Sequence, residues 1–424
     1  MCGTTFFMKG KGKLFKHLKI LGPGIVTGAS DDDPSGIATY SQAGAGFGLR
    51  VLWMAAFTFP LMAALQGMCA RIGMVTCQGL SHTLKKYYPP VILYLMLIFS
   101  VPAIILNIGA DIAGMGAVAN LLLPSVPPFA CSLVFNALMM AAIIIFPYQK
   151  LAGILTWLCL SVLLYLIVPF IVHVNWHKVL RSAFIPHTEL NKDFIEMMVA
   201  ILGTTISPYL FFWQATMEAE DVDHHQKKLM IDKHDLGIMA ADVNAGMFIS
   251  NLVMLFIILT TGVVLYNSGI REVNTEDEAA KALAPLAGKF SYLFFALGLI
   301  GTGLLAIPVL TGSLSYMLAE TFGWEEGFDK KFHEARAFYI VMILSLVIGL
   351  LINIMGISPM KALFFTAVLY GVTSPVMIAV VLHIGNNKKI MKEFTNTRLS
   401  NILGIVTLIL MTLSAVLLIY FQFK

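Results

Sequence analysis

The sequence predicts an all-α integral membrane protein, with about eleven spanning helices and two inverted repeats. Three observations carry this prediction: charged residues are only 12% of the chain, apolar segments recur along its whole length, and two of these segments are interrupted by proline. Soluble domains carry about 25% charged residues. With 58% hydrophobic residues and a mean hydropathy of +0.82, the composition excludes disordered, fibrous and nucleic-acid-binding proteins.

A basic tail at residues 1–20 precedes the first apolar segment. It carries five lysines and no small-residue cleavage site, so we expect a retained cytoplasmic tail rather than a signal peptide. The apolar segments follow at about 21–46, 51–75, 91–120, 129–147, 151–173, 195–217, 240–267, 290–319, 335–354, 361–384 and 400–422. Most are bounded by proline, glycine or charge, and only polar connections separate them.

Lysine and arginine predict the orientation of these spans. With the N-terminus inside, about two thirds of the 28 Lys and Arg residues fall on the cytoplasmic side. The positive-inside rule therefore predicts a cytoplasmic N-terminus and an outside C-terminus, and we expect a bacterial plasma membrane.

The first segment contains a run of charge that a lipid-facing helix cannot hold. It reads Ser30-Asp31-Asp32-Asp33-Pro34-Ser35-Gly36. A single carboxylate at the bilayer centre costs about 2.5–3.5 kcal/mol. Pro34 removes a backbone donor and Gly36 permits unwinding, so we expect a broken helix with free carbonyl groups. A loop between two short helices is the alternative, but each flank is too short to span alone.

The sixth segment is interrupted in a similar way, at Gly203-Thr204-Thr205-Ile206-Ser207-Pro208-Tyr209. Taken alone, Pro208 would indicate an ordinary proline kink. Paired interruptions in two halves of five spans instead indicate an inverted-repeat transporter, with its substrate between the broken helices. The repeats would be residues 21–173 and 195–384, with residues 400–422 as an added eleventh span.

The candidate ligands in these two breaks are oxygen donors. They are the carboxylates of Asp33, Asp32 and Asp31, the carbonyls of Ser30 and Thr204, and the hydroxyls of Ser35, Ser207 and Tyr209. Asp33 is the main candidate, with Asp32 or Asp31 as a second carboxylate. Neither break contains Cys or His, which favours a hard cation such as Mg²⁺, Ca²⁺ or Mn²⁺ over Zn²⁺ or Cu⁺.

Several motifs, in order along nearly the whole chain, resemble the Nramp family of divalent-metal transporters. They are Gly22-Pro23-Gly24, Asp33-Pro34-Ser35-Gly36, Gln42-Ala43-Gly44-Ala45, and the stretches 69–76 and 319–324. The resemblance implies a LeuT-type inverted-repeat fold of five plus five spans with an eleventh helix. It also implies that a divalent metal ion binds between the two broken helices.

The departures from the family pattern fall on the residues that would bind the ion. The family's asparagine ligand is Gly36 here, its methionine is Ser207, and its histidines are Tyr209 and Gln214. In the third span the family's Asp-Leu-Ala-Glu reads Asp111-Ile112-Ala113-Gly114, which keeps the Asp and loses the Glu. The resemblance therefore implies harder or relaxed ion selectivity and weak or absent proton coupling, as in Nramp-related magnesium transporters.

The sequence thus predicts a secondary transporter of Mn²⁺, Mg²⁺ or Fe²⁺ that works by alternating access. The alternative is a transporter of a small organic solute, such as a carboxylate or an amino-acid derivative, with a cation or proton at the aspartates. We expect no enzymatic activity, no resident cofactor, no nucleic-acid partner and a monomer in the lipid bilayer.

Polar side chains elsewhere in the spans are candidate pathway or coupling residues. They are Asp31, Asp111, Gln42, Gln214 and Asn107. Intramembrane polar residues face the interior of a helix bundle, where they line a path or join two helices. For Asp111, Gln42 and Asn107 both interpretations are open at this point.

Overall fold

The computed structural model of the protein describes residues 22–145, 160–172, 174–224 and 232–423. Within these ranges every regular element is a helix. The longer helices are α1 (Pro23–Asp31), α2 (Pro34–Phe47), α3 (Trp53–Thr76), α4 (Leu80–Tyr87), α5 (Pro90–Leu122), α6 (Pro128–Ile145), α7 (Leu164–Ile171), α8 (Trp176–Phe184), α9 (Lys192–Thr205), α10 (Pro208–His224), α11 (Lys233–Val264), α12 (Ser291–Phe322), α13 (Arg336–Ile352), α14 (Pro359–Asn386) and α15 (Arg398–Gln422). Short turns of helix, among them Glu276–Ala280, Ala284–Ala287 and Lys388–Met391, lie in the connections.

These helices coincide with the predicted spans. Eight helices of the described part, with α9 and α10 counted together, are long and apolar enough to cross a membrane, and α13 is a shorter apolar helix. Of the fifth predicted span, 151–173, the end is described as α7, whereas residues 151–159 and the basic tail at 1–20 lie outside the described residues. The all-α class is confirmed, and the count of eleven spans stays a prediction.

Both predicted helix breaks are present. α1 ends at Asp31 and α2 begins at Pro34, whereas α9 ends at Thr205 and α10 begins at Pro208. Proline suits the first position of a helix because the N–H that it lacks has no partner there and its φ is already helical. Each proline therefore begins a second half-helix, and the two residues before it lie outside regular helix.

Glycines let α11 lie against both halves of the first broken helix. On α1, a Cβ at Gly28 would overlap the carbonyl oxygen of Gly246. On α2, a Cβ at Gly44 would overlap the hydroxyl of Thr261. Small residues are the means by which spanning helices approach this closely. As a result, α11 runs beside the break and contacts the helix on either side of it.

The second broken helix packs on two other spans. α9 lies on α14, where a Cβ at Gly203 would overlap the Ala367 carbonyl and crowd the Gly371 backbone. α10 lies on α3, where a Cβ at Gly73 would overlap the carbonyl of Ala215. These backbone-to-backbone contacts fix the height of each half-helix, and so they fix the position of the break between them.

Candidate functional site

Asp33 is held at the first break by the turn that begins α2. As the N-cap residue, its Oδ1 accepts hydrogen bonds from the Ser35 hydroxyl at 2.6 Å and from the Gly36 N–H at 2.8 Å. An acidic N-cap satisfies amide groups that have no partner within the helix. Asp33 is only 1% exposed, so its carboxylate lies inside the protein in a fixed orientation.

The other carboxylate oxygen of Asp33 meets the third span. The side-chain amide of Asn107, on α5, donates to Asp33 Oδ2 at 2.9 Å. Asn107 Oδ1 in turn accepts a hydrogen bond from the Thr366 hydroxyl of α14 at 3.0 Å. Both side chains are buried. Asn107, for which the sequence left two interpretations open, therefore contacts the main candidate ligand directly.

Asp31 and Asp32 face α11, whereas Asp33 faces α5. The Ser250 hydroxyl donates to Asp31 Oδ2 at 2.7 Å and lies 3.4 Å from Asp32 Oδ1. Asp31 Oδ1 is buried and has no hydrogen-bond partner among the described residues. In the same part of the chain, no three Asp, Glu, His or Cys side chains converge as a metal site would require. The three aspartates are thus divided between two sides of the break.

The two breaks touch through a tyrosine. The Tyr209 hydroxyl, at the start of α10, donates to the Ser30 carbonyl oxygen of α1 at 3.2 Å. A second contact joins Tyr40 and Thr205, whose hydroxyl oxygens are 3.3 Å apart. Because a carbonyl oxygen has two lone pairs, the Ser30 carbonyl keeps one for a further ligand.

Hydroxyl groups cover the carbonyls at the second break. The Ser207 hydroxyl lies 2.7 Å from the Thr204 carbonyl oxygen and 3.1 Å from that of Gly203. Ser374 of α14 donates to the Ile206 carbonyl at 3.0 Å. These bonds satisfy the backbone that the helix break leaves without partners, and each carbonyl retains a second lone pair.

A Cβ at position 36 would fit between the two breaks. A Cβ on Gly36 would lie 3.4 Å from the Thr204 Oγ1 and 3.5 Å from the Asp31 carbonyl oxygen. Both distances are ordinary van der Waals contacts. Gly36 is therefore not required by close backbone packing, and a Cβ there would contact the Thr204 side chain of the second break.

The remaining pathway candidates lie in different surroundings. Asp111, one turn beyond Asn107 on α5, is fully buried; its carboxylate lies near the Ser35 N–H and has no side-chain hydrogen-bond partner in the described ranges. The Gln214 amide donates to Glu218 at 2.9 Å, toward the far end of α10 and away from the break. Gln42 is half-buried on α2. Of the three, Asp111 lies nearest in sequence to a residue that contacts Asp33.

No positive side chain forms an ion pair with the aspartates of the first break, as far as the structure is described. The ion pairs that are described lie in the connections, such as Arg50 with Glu189 and Lys281 with Asp277. Buried charge without a partner is costly. A cation bound between the breaks would supply the missing positive charge, and the surrounding carboxylate, amide, hydroxyl and carbonyl oxygens suit a hard divalent ion.

Sequence reasoning did not find Ser250 and Thr366. Each is a hydroxyl residue in a largely apolar span, where such residues often bond only to the preceding turn of their own helix. The usable signal was the general one that polar side chains in spanning helices face the bundle interior. That rule predicts which face of a helix is buried, but it does not predict which aspartate a hydroxyl on that face contacts.

Comparisons with known proteins agree with this geometry. The family model Nramp, described as natural resistance-associated macrophage protein-like, matches residues 24–421. The divalent metal cation transporter MntH of Caldanaerobacter subterraneus subsp. tengcongensis is 26% identical over 417 residues, which are 97% of this chain and 95% of that protein.

Solved structures show the fold. The crystal structure of the Eremococcus coleocola manganese transporter matches with a TM-score of 0.74 and 16% identity, over 98% of this chain and 88% of that one. Mhp1, a nucleobase-cation-symport-1 family transporter in a closed conformation, matches with a TM-score of 0.50 and 14% identity, over 95% and 93% of the two chains. The predicted LeuT-type fold in an all-α membrane protein is confirmed.

Proposed function

Because the chain belongs to the Nramp family, whose members are membrane transporters and not enzymes, we propose that it carries divalent metal ions across a lipid bilayer. One observation above all supports this: Asp33 is a buried carboxylate at a helix break, hydrogen-bonded by the Ser35 hydroxyl, the Gly36 N–H and the Asn107 amide. The MntH protein and the manganese transporter to which the chain is similar are named for metal transport. The ion is the transported substrate, not a resident cofactor.

The ion is a hard or intermediate divalent cation of the Mn²⁺, Mg²⁺ or Fe²⁺ class. Asp33 supplies the charge, and the carbonyl oxygens of Ser30 and Thr204 supply neutral ligands from the two breaks. Ser207 stands where the family pattern has methionine, so a hydroxyl replaces the thioether that would favour soft metals. Asp32 or Asp31 is the candidate for a second carboxylate in this set.

Transport proceeds by alternating access between two inverted repeats, residues 21–173 and 195–384, with residues 400–422 outside both. Reciprocal packing supports this division, because the first span packs on the seventh (α11) while α10 of the sixth packs on the second (α3). Repeats related by a two-fold axis in the membrane plane would exchange such pairs. Rocking of one bundle against the other opens the site to each side in turn.

Proton coupling is weak or absent. The two positions at which the family has histidines hold Tyr209 and Gln214, and both side chains make local hydrogen bonds. At Gly114, where the family has glutamate, a Cβ would lie 3.0 Å from the Leu363 Cδ1. Apolar packing thus occupies a place that would otherwise hold a proton-accepting side chain.

The chain acts as a monomer in a bacterial plasma membrane, with its N-terminus in the cytoplasm and its C-terminus outside. Tags at each end test this orientation in intact cells. We expect an N-terminal tag to be protected from external protease and a C-terminal tag to be cleaved; the reverse result contradicts the orientation.

Uptake into proteoliposomes tests the proposed function. Uptake of Mn²⁺ and of Mg²⁺ is measured for the parent, Asp33→Ala and Asp193→Ala, with a pH-sensitive dye inside the vesicles. Loss of the main ligand should lower uptake of a subsaturating ion by more than about tenfold. Asp193 is an exposed carboxylate in the first turn of α9, and its replacement should leave uptake unchanged. Internal pH should stay constant during uptake.

The possible failures are separable. If no divalent ion enters, or if Asp33→Ala transports like the parent, metal transport at this site is contradicted. Acidification in proportion to uptake contradicts only the uncoupled mechanism. Calorimetry with MnCl₂ and with small carboxylates tests the organic-solute alternative, which is supported if a carboxylate binds where metal neither binds nor is required.

A further inference from the structure

The carboxylate of Asp33 leaves one of its oxygens open to a cation. Oδ1 accepts from the Ser35 hydroxyl and the Gly36 N–H, and these two bonds use both of its lone pairs. The Ser35 N–H also contacts the Asp33 carboxylate. Asn107 Nδ2 is the side-chain donor to Oδ2, at 2.9 Å, among the described residues. A cation that binds Asp33 therefore does so at Oδ2, beside the Asn107 amide.

The partners of Asn107 permit two orientations of its amide. Asn107 Oδ1 is 3.0 Å from the Thr366 hydroxyl, but that hydroxyl is closer, at 2.7 Å, to the Leu363 carbonyl oxygen. A hydroxyl has one proton to donate and two lone pairs. With its proton on the Leu363 carbonyl, Thr366 can accept a bond from the amide nitrogen. A half-turn of the amide therefore leaves Asn107 with a partner on Thr366 in either orientation.

A cation at Asp33 Oδ2 favours the turned orientation. As described, the amide N–H is directed at Oδ2, so its positive end would point toward an arriving ion. After the half-turn, the amide oxygen points there instead, and an amide oxygen is a good ligand for a hard divalent cation. No substantial movement of α5 is required, because only the side-chain amide turns.

We propose that the Asn107 amide is a ligand of the transported cation, donating to Asp33 in the empty site and presenting Oδ1 once the ion is bound. This inference rests on the proposed function and names a further residue of the same site. At Gly36 the first span offers no side-chain amide. The third span supplies one from the opposite side of Asp33, and Thr366 of the tenth span holds it in both orientations.

Variants of the full-length chain separate a ligand from a residue that only orients Asp33. Asn107→Leu removes both donor and acceptor at similar size, whereas Asn107→Asp keeps an oxygen but cannot donate. Asn136→Leu is the matched control, because Asn136 is a buried asparagine on α6 whose amide lies 3.4 Å from the Leu346 carbonyl. Mn²⁺ affinity is measured by calorimetry on purified protein, and folding is checked by gel filtration and thermal unfolding.

With Asn107 as a ligand, Asn107→Leu should weaken Mn²⁺ binding by about 10- to 100-fold. Asn107→Asp should recover most of that loss because a carboxylate oxygen also coordinates Mn²⁺. The control should bind like the parent. If Asn107→Asp binds as poorly as Asn107→Leu, the residue only orients Asp33 and the ligand role is overturned. Parent-like binding by Asn107→Leu overturns it too.

A second variant keeps the inference testable if Asn107→Leu does not fold. Thr366→Val leaves the bond from Asn107 to Asp33 in place. It costs the empty-site orientation little, because the Thr366 hydroxyl is closer to the Leu363 carbonyl, at 2.7 Å, than to Asn107 Oδ1, at 3.0 Å, but it removes the acceptor that the turned amide needs. It should weaken Mn²⁺ binding several-fold, and unchanged affinity overturns the two-orientation role. Failure of this inference is distinguishable from failure of the proposed function, because only the latter predicts that the parent, like Asp33→Ala, binds no divalent ion.

Discussion

Replacing two glycines of one helix by alanine should change stability in opposite directions. Gly36 and Gly44 both lie within α2, so an added methyl group gives each variant the same gain in helix propensity, about 0.5–1 kcal/mol. Their surroundings differ. A Cβ at Gly36 meets its nearest atoms at 3.4–3.5 Å, whereas one at Gly44 would overlap the Thr261 hydroxyl and lie 2.5 Å from the Ile258 carbonyl oxygen.

When the free energies of unfolding of the two variants are compared, the equal gains in helix propensity cancel. The difference that remains is the cost of overpacking at Gly44. Forcing a methyl group into a packed interior costs about 1–3 kcal/mol. The upper part of this range applies here, because the Ile258 carbonyl belongs to the backbone of α11 and cannot turn away. We expect Gly36→Ala to be at least as stable as the parent, and Gly44→Ala to have a free energy of unfolding lower than that of Gly36→Ala by about 2–3 kcal/mol.

Thermal unfolding in detergent, followed by tryptophan fluorescence, measures this difference. Both variants should first elute as single species in gel filtration, so that aggregation does not set the Tm. Equal Tm values for the two variants, or a lower Tm for Gly36→Ala than for Gly44→Ala, would refute the packing of α2 against α11.

Three further changes have defined outcomes. Gly36→Asn adds an amide beside the second break and should strengthen Mn²⁺ binding in calorimetry; weaker binding would show that this amide does not reach the ion. Tyr209→Phe deletes the hydrogen bond between the breaks and should lower the free energy of unfolding by about 0.5–1.5 kcal/mol, seen as a lower Tm; a parent-like Tm contradicts the bond. Burial and the charges of neighbouring glutamates raise the pKa of Glu326 above its usual 4.5. With a folded-state pKa of about 9, the carboxyl ionises in the unfolded chain between pH 5 and pH 8 but keeps its proton in the folded protein, so stability falls over that range. Glu326→Gln removes this loss and should raise Tm more at pH 8 than at pH 5; equal gains contradict that burial.

The positions of the helix breaks could be predicted from the sequence. Pro34 and Pro208 each begin a half-helix because a proline lacks the N–H that the interior of a helix needs. The burial of Asp33 also followed from its place inside an apolar span, since a carboxylate there avoids lipid. Both features depend on the residues of one stretch of chain, so they can be predicted without knowing which distant spans are in contact.

The partners of the aspartates could not be predicted in this way. Asp31, Asp32 and Asp33 are equivalent in the sequence, and the angular spacing of a regular helix says only that they do not all share one face. The backbone at Asp32 and Asp33 has left the helix, with ψ angles of 52° and 173°, so helical spacing no longer applies. Packing among distant spans then turns Asp31 toward Ser250 and Asp33 toward Asn107.

The unbroken α11 keeps the first break from bending. α11 runs for 32 residues beside a helix that is interrupted halfway, and it contacts both halves at glycines. Bending α1 away from α2 would separate Gly28 from Gly246 or Gly44 from Thr261. The break is therefore held rigid. Its backbone and carboxylate groups lack helical partners, but it does not act as a hinge. We expect the first and seventh spans to move as one rigid body during transport, so the contact that changes lies on the other side of Asp33, at its hydrogen bond with Asn107.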